Sequence, residues 1–284
     1  MFRIFTDVGA NIPQDLIERY DLGLVPIHCE VTGVALDLTQ GFDGPAFYQS
    51  MGAGAQTRTA MPSPAEFMDL FRPVVEAGQD LLYVGMSSGI SGTVNLGKSV
   101  AAELSEEFPE RKIAVIDTRA ASLGEGMIVI HAARLREQGV DYDEVVRSVR
   151  EQRDHMYQIF TVEDLEYLRR GGRLHSAVAK VGNALNVKPV LWGDEDGHIV
   201  LKHMNVGRKR SLDTLAAKYR EFCADLSAPA ALAHCDSPED AERVAQKLRD
   251  AGCTGEILTV CYEPVTGSHV GPGTVALFFE GPHR

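Results

Sequence analysis

The sequence predicts an α/β protein in two parts. Residues 1–157 form an N-terminal domain on a parallel sheet, and residues 158–284 an α+β domain with a mixed or antiparallel sheet. Three observations predict it. Short apolar runs alternate with helix-patterned segments through the first half, as in a parallel sheet with helices on both faces. Two apolar runs later flank Gly193-Asp194-Glu195-Asp196-Gly197, the pattern of a hairpin. The length, 284 residues, suits one large domain or two ordinary ones.

The elements follow in order. Phe2 to Val8 is apolar and β-prone, and Gly23 to Val31 alternates. Ser63-Pro64-Ala65-Glu66 is a capping box with proline at the first helical position, and Gly78 ends that helix. Leu81 to Met86 is a continuous apolar run, the mark of a parallel strand buried on both faces. Gly92 to Leu104 is helical, Ile113 to Asp117 is a strand, and Gly126 to Gln138 is a helix stopped by Gly139. This is a Rossmann-like arrangement. Ligands in such sheets sit beyond the C-terminal ends of the strands, where the turns after Met86 and after Asp117 lie. In the second half Asp141 to Met156 is an amphipathic helix. Thr161 caps a short helix through Arg170, stopped by Gly171-Gly172. Lys188 to Trp192 and His198 to His203 make the hairpin. Ser211 to Leu226 is helical, Ala228 to His234 a strand, and Ser237-Pro238-Glu239-Asp240 opens a helix ending near Gly252. Glu256 to Tyr262 and Thr274 to Phe279 are strands.

Composition bounds the function. Hydrophobic residues at 44% and charged residues at 24% allow a sizeable core. A net charge of −12 argues against nucleic acid, whose binders carry a basic face. No run approaches the roughly 20 apolar residues of a membrane helix. The N-terminus, M-F-R-I-F-T-D, has no signal-peptide core. Five cysteines without a C-x-x-C pair read as free buried thiols in a reducing compartment. A soluble cytoplasmic protein without metal or cofactor is expected.

Three small polar turns carry the chemistry: Arg58 to Pro64, Ser87 to Thr93, and Gly267 to Gly273. Each offers hydroxyl, imidazole or backbone N–H donors on a Gly- or Pro-shaped turn. Brought together, they make a cup for one anionic head group. No turn brings a positively charged side chain deep into the cup except the nearby Arg58, which suits a carboxylate better than a polyphosphate. Two other motifs compete. Gly85-Met86-Ser87-Ser88-Gly89 matches G-x-S-x-G after a strand, and with His269 it gives the alternative reading, a serine hydrolase (esterase) using Ser87. Against it, Gly89 to Gly92 postpone the helix that a nucleophile elbow starts at once. Gly92-Thr93-Val94-Asn95-Leu96-Gly97-Lys98-Ser99 matches the phosphate-loop pattern, but its strand ends near Met86, well before Gly92. Lys98 then reads as a solvated helix lysine.

The chain resembles the DegV family of bacterial fatty-acid-binding proteins, which includes the acyl-carrying subunits of fatty acid kinase. The likeness spans nearly the whole chain. It rests on Thr59-Ala60-Met61-Pro62-Ser63-Pro64, the Ser87 to Thr93 turn, Ile116-Asp117-Thr118 with Ala121-Ser122 and Gly126, Glu163 to Arg173, Asn186-Val187-Lys188-Pro189, and Gly267 to Gly273. The resemblance implies one long-chain fatty acid held between two domains. It implies a carboxylate bound by Thr59 and Ser91 with His269 at the head group, and support from Arg173, Gly92 and Gly271. It implies a carrier without bond chemistry, whose bound acid a separate fatty acid kinase subunit phosphorylates. Arg208-Lys209-Arg210, the densest basic run, is either a solvated loop or the docking patch for that subunit. A monomer is expected. Two departures bear on the head group: Asp7-Val8-Gly9-Ala10-Asn11-Ile12 stands for the usual D-S-x-x-D-L, and Ala60-Met61 for the usual S-Q.

Overall fold

The computed structural model describes residues 2–38, 41–174 and 186–283. The first sheet has four parallel strands in the order β2 (Leu22–Val25), β1 (Arg3–Asp7), β6 (Leu81–Gly85), β7 (Ile113–Asp117). Period-two alternation divides its side chains between two cores. Phe5, Leu81 and Tyr83 face α3 (Pro64–Glu76) and α4 (Thr93–Glu107), where they meet Phe67, Phe71 and Leu104. Ile4, Leu82, Val84 and Ile116 face the other way, towards α5 (Leu123–Glu137) and α6 (Tyr142–Arg153). The capping box at Ser63 is present in full, with Ser63 Oγ accepting from Glu66 N and Glu66 accepting from Ser63 N.

The second sheet is mixed. Its order is β10 (Ile199–Val206), β9 (Val187–Gly193), β8 (Met156–Thr161), β13 (Val275–Glu280), β11 (Ala230–His234), β12 (Ile257–Cys261). Only β11 and β12 run parallel; the other neighbours are antiparallel. One face packs Ile159, Leu232, Leu277 and Phe279 against α8 (Arg208–Phe222) and α9 (Pro238–Asp250). The other packs Phe160, Ala231, Ala233 and Phe278 against α5. Helix α5 therefore touches β1 and β6 on one side and β8, β11 and β13 on the other. A helix enclosed between two sheets must be apolar all round, and Ile128, Val129, Ala132 and Ala133 are all fully buried.

The structure differs from the sequence expectations in several places. The run Gly23 to Val31 is two strands: Pro26 has no N–H for a ladder, so β2 ends at Val25 and the chain leaves that sheet. It then enters a small antiparallel sheet of β4 (Val34–Ala35), β3 (His28–Val31) and β5 (Thr57–Ala60), followed along the chain by α2 (Gly44–Gly52); neither was expected. Arg58 to Ala60 belongs to strand β5 rather than to a turn. Gly267 to Val270 lies inside a helix, α10 (Pro264–Val270), started by Glu263, whose carboxylate accepts from Val265 N and Thr266 N. The helix expected to run to Met156 ends at Arg153, and Met156 opens β8. Residues 157 and 158, near which the two domains were expected to divide, both lie in β8, which pairs within the second sheet. Thr161 does not cap the next helix. It ends β8 and donates to Pro189 O at 2.8 Å, while Asp164 accepts from Glu166 N at the start of α7 (Glu166–Arg170).

Candidate functional site

A cavity opens between the two layers. Its walls come from β5, the loop after β6, α7 and α10 on one side and from β8, the β9–β10 hairpin and β13 on the other. The void amounts to about 900 Å3 counting its open mouth. Ile27, Met86, Phe160, Leu168, Val270 and Phe278 make most of it apolar. The polar groups are Thr59, Ser91, Arg173 and His269, with Gln158, Tyr262 and Thr266.

Each polar group is aimed by its element. Alternation along β5 turns Thr59 towards the cavity while its neighbours Arg58 and Ala60 are exposed. Helix α10 presents His269 to it: Thr59 Oγ1 and His269 Nε2 are hydrogen-bonded at 2.8 Å, 210 residues apart in sequence. Gly171 lies against the same ring; a Cβ there would come 2.4 Å from Nδ1. Gly271 ends α10 at φ +80°, and a Cβ there would meet the Tyr167 ring at 2.3 Å, so glycine is required. Gly92 is the N-cap residue of α4, where Ser91 Oγ accepts from Thr93 N at 3.3 Å and shares a hydrogen bond with Thr93 Oγ1 at 2.9 Å. Arg173 is held by donating from Nε to Ile90 O at 3.2 Å and from its other end to Gly171 O.

The electrostatics fit an anion. Burial, and then the charge of Arg173, pull His269 down to about 4, so it is neutral at pH 7. Burial also lowers Arg173 from its ordinary value, yet a guanidinium stays cationic in proteins. Among the described residues that line it, the cavity therefore carries one fixed positive charge and several neutral donors. That charge is Arg173, which lines the cavity, and not Arg58, which is exposed on the outer face of β5.

Other candidates lie elsewhere. Ser87 is fully buried and bonds away from His269: it donates to Gly197 O at 2.9 Å and accepts from Gly89 N at 3.0 Å. A nucleophile needs its proton within reach of a base, and this hydroxyl proton is committed to a carbonyl. Lys98 is exposed within α4 and donates to Asn95 Oδ1 at 3.1 Å. Arg208 begins α8 and is paired with Asp240 at 2.7 Å and Glu163 at 3.3 Å; Lys209 and Arg210 are exposed. All five cysteines are free, and Cys29, Cys235 and Cys253 are buried. Among the described residues, no group of three or more His, Cys, Asp or Glu could hold a metal, and no helix is long and apolar enough to cross a membrane. Sequence reasoning missed Phe160, Phe278, Thr266 and Val270. Strand alternation carried the signal for the first two, helical spacing three residues before His269 for Thr266, and four residues after Thr266 for Val270.

The fold and cavity define an α/β protein of two sheets around a shared helix, with a largely apolar cavity whose described lining includes several neutral donors and an arginine. A family model described as uncharacterised protein, DegV family, matches residues 1–281. A DegV domain-containing protein of Clostridium perfringens is 32% identical over 283 residues, covering 99% of this chain and 97% of that one. Among solved structures, a DegV family protein from Thermus thermophilus, described by its fatty acid binding, is similar at TM-score 0.89 and 30% identity, covering 99% of each chain. A fatty acid binding DegV family protein from Streptococcus agalactiae is similar at TM-score 0.88 and 28% identity, covering 100% of this chain and 99% of that one. The chain belongs to the DegV family.

Proposed function

We propose that this protein binds one long-chain fatty acid. The tail lies in the cavity between the layers and the carboxylate at Thr59, Ser91 and His269, with Arg173 supplying the counter-charge. The observation that carries this reading is the Thr59–His269 contact beside Arg173 in the wall of a largely apolar cavity. The fatty acid binding described for the Thermus and Streptococcus relatives supports it.

The energetics divide the labour. Each buried CH₂ contributes about 0.8 kcal/mol, so a tail of about fourteen methylenes contributes on the order of 10 kcal/mol gross, before ordering costs. The tail sets affinity. The head-group donors fix orientation and keep a partly buried charge hydrogen-bonded. Nothing in this arrangement makes or breaks a bond. The protein acts as a carrier whose carboxylate faces the open mouth, where a separate kinase subunit phosphorylates it. Organic extraction of the purified protein and mass spectrometry test the binding. One fatty acid per chain is expected, and no stoichiometric fatty acid overturns the reading.

A further inference from the structure

Met61 is unusual among the cavity residues in belonging equally to the wall and to solvent. It lies two positions beyond Thr59, just past the end of β5, and it lines the cavity while remaining 50% exposed. Its thioether rests on Gly92: a Cβ built there would come 2.7 Å from Sδ and 3.3 Å from Cε. The sulfur thus bridges the strand that carries Thr59 and the turn that carries Ser91 where the cavity wall meets solvent. The other methionine of this wall, Met86, is only 5% exposed. Met204 on β10 is exposed to 42% and takes no part in the cavity.

A thioether at a site's mouth is neutral and weakly polar, and compatible with a neighbouring anion. Oxidation changes that. A sulfur lone pair attacks one oxygen of a peroxide; the O–O bond breaks, the S–O bond forms, and water leaves. Sulfur is oxidised by two electrons and the peroxide is reduced. The resulting sulfoxide is a polar acceptor with no proton to donate. Its oxygen has no room against Gly92, so it turns towards the cavity or, drawn to water on the exposed side, takes the side chain off the wall. In the first case it competes with a carboxylate for the Thr59 and Ser91 hydroxyls and repels it. In the second it opens the mouth to water.

We propose that Met61 is an oxidation site for small peroxides, and that its sulfoxide weakens carboxylate binding in the adjoining cup. This rests on the fatty acid reading above. The experiment is treatment of the full chain with hydrogen peroxide. Peptide mass spectrometry follows each methionine, and hexadecanoic acid affinity is measured before and after. A one-oxygen mass gain at Met61 ahead of Met86 is expected. Affinity should fall roughly tenfold, the cost of an unpaired polar oxygen beside a half-buried anion. Each protein is compared with its own untreated sample. Met204→Leu should lose affinity on treatment as the unsubstituted chain does, and Met61→Leu should not. All three keep the five cysteines, so thiol oxidation cannot produce that difference.

Met61 unreacted when Met86 has reacted, affinity unchanged once Met61 is oxidised, or an equal loss in Met61→Leu would each overturn the proposal. Failure of the untreated protein to bind hexadecanoic acid removes the binding reading and this one with it. Normal binding before treatment and no change after removes this one alone.

Discussion

At the scale of single residues, the site is built from groups whose protonation is set by burial, and two of them act in opposite senses. His269 is held near 4 in the fold against about 6.5 when free. Between those values the unfolded chain binds more protons, so this group's stabilisation is present above about pH 6.5 and is lost as pH falls towards 4. Glu263, which caps the helix carrying His269, is pushed by burial up to about 7 from 4.5. There the folded chain binds more protons, so its contribution falls as pH rises from 4.5 to 7. The stability difference between the unsubstituted chain and His269→Asn should rise with pH across this window, and the difference from Glu263→Gln should fall. Thermal melts at half-unit steps check both; slopes of the same sign would refute the assignment. Under the proposed binding mode, Thr59→Ala with Ser91→Ala removes two hydrogen bonds to the carboxylate and should weaken fatty acid binding by roughly a hundredfold. The melting temperature should fall by a few degrees as well, since Thr59 also bonds His269 and Ser91 accepts from Thr93 N at the start of α4.

At the scale of elements, backbone shape decides what the site can tolerate. Gly271 lets β13 follow α10 directly, so Gly271→Ala combines a strained φ with a collision at Tyr167. It should cost about 1–3 kcal/mol in chemical denaturation, and full native stability in this variant would contradict the geometry. The elements easiest to read were those with a strong period: Leu81 to Gly85 is buried at every position, and Ser63-Pro64-Ala65-Glu66 announces its helix. The small sheet was not legible, because Val34 and Ala35 are both exposed and so short a strand leaves no alternation to count. Helix α10 was hidden by its composition. Thr266, Gly267 and Ser268 lower helix propensity, and the Gly271-Pro272-Gly273 turn dominates the pattern, although Glu263-Pro264 is a sound start signal. The site had the same split. Thr59, Ser91 and His269 came from a motif resemblance, since no spacing in the chain tells that residues 59 and 269 touch. Arg173 was named as support, but its place as the cavity's cation needed coordinates.

At the scale of the whole molecule, the carrier reading makes a demand on the surface. A kinase subunit must dock near the mouth, and of the basic run only Lys209 and Arg210 are exposed, since Arg208 is engaged with Asp240 and Glu163. Lys209→Glu with Arg210→Glu should lower acyl phosphate formation by a cognate kinase and leave the bound fatty acid content unaltered; unaffected turnover would exclude this face as the docking patch. The enclosure of α5 has a separate consequence. Both sheets lean on the same helix, which works as a common beam rather than as the property of either side. Severing the chain after Arg153 would bare one whole flank of that beam on the first fragment and leave Phe160 and Phe278 of the second without a floor. With a beam in common, the two sides should melt together as one cooperative unit.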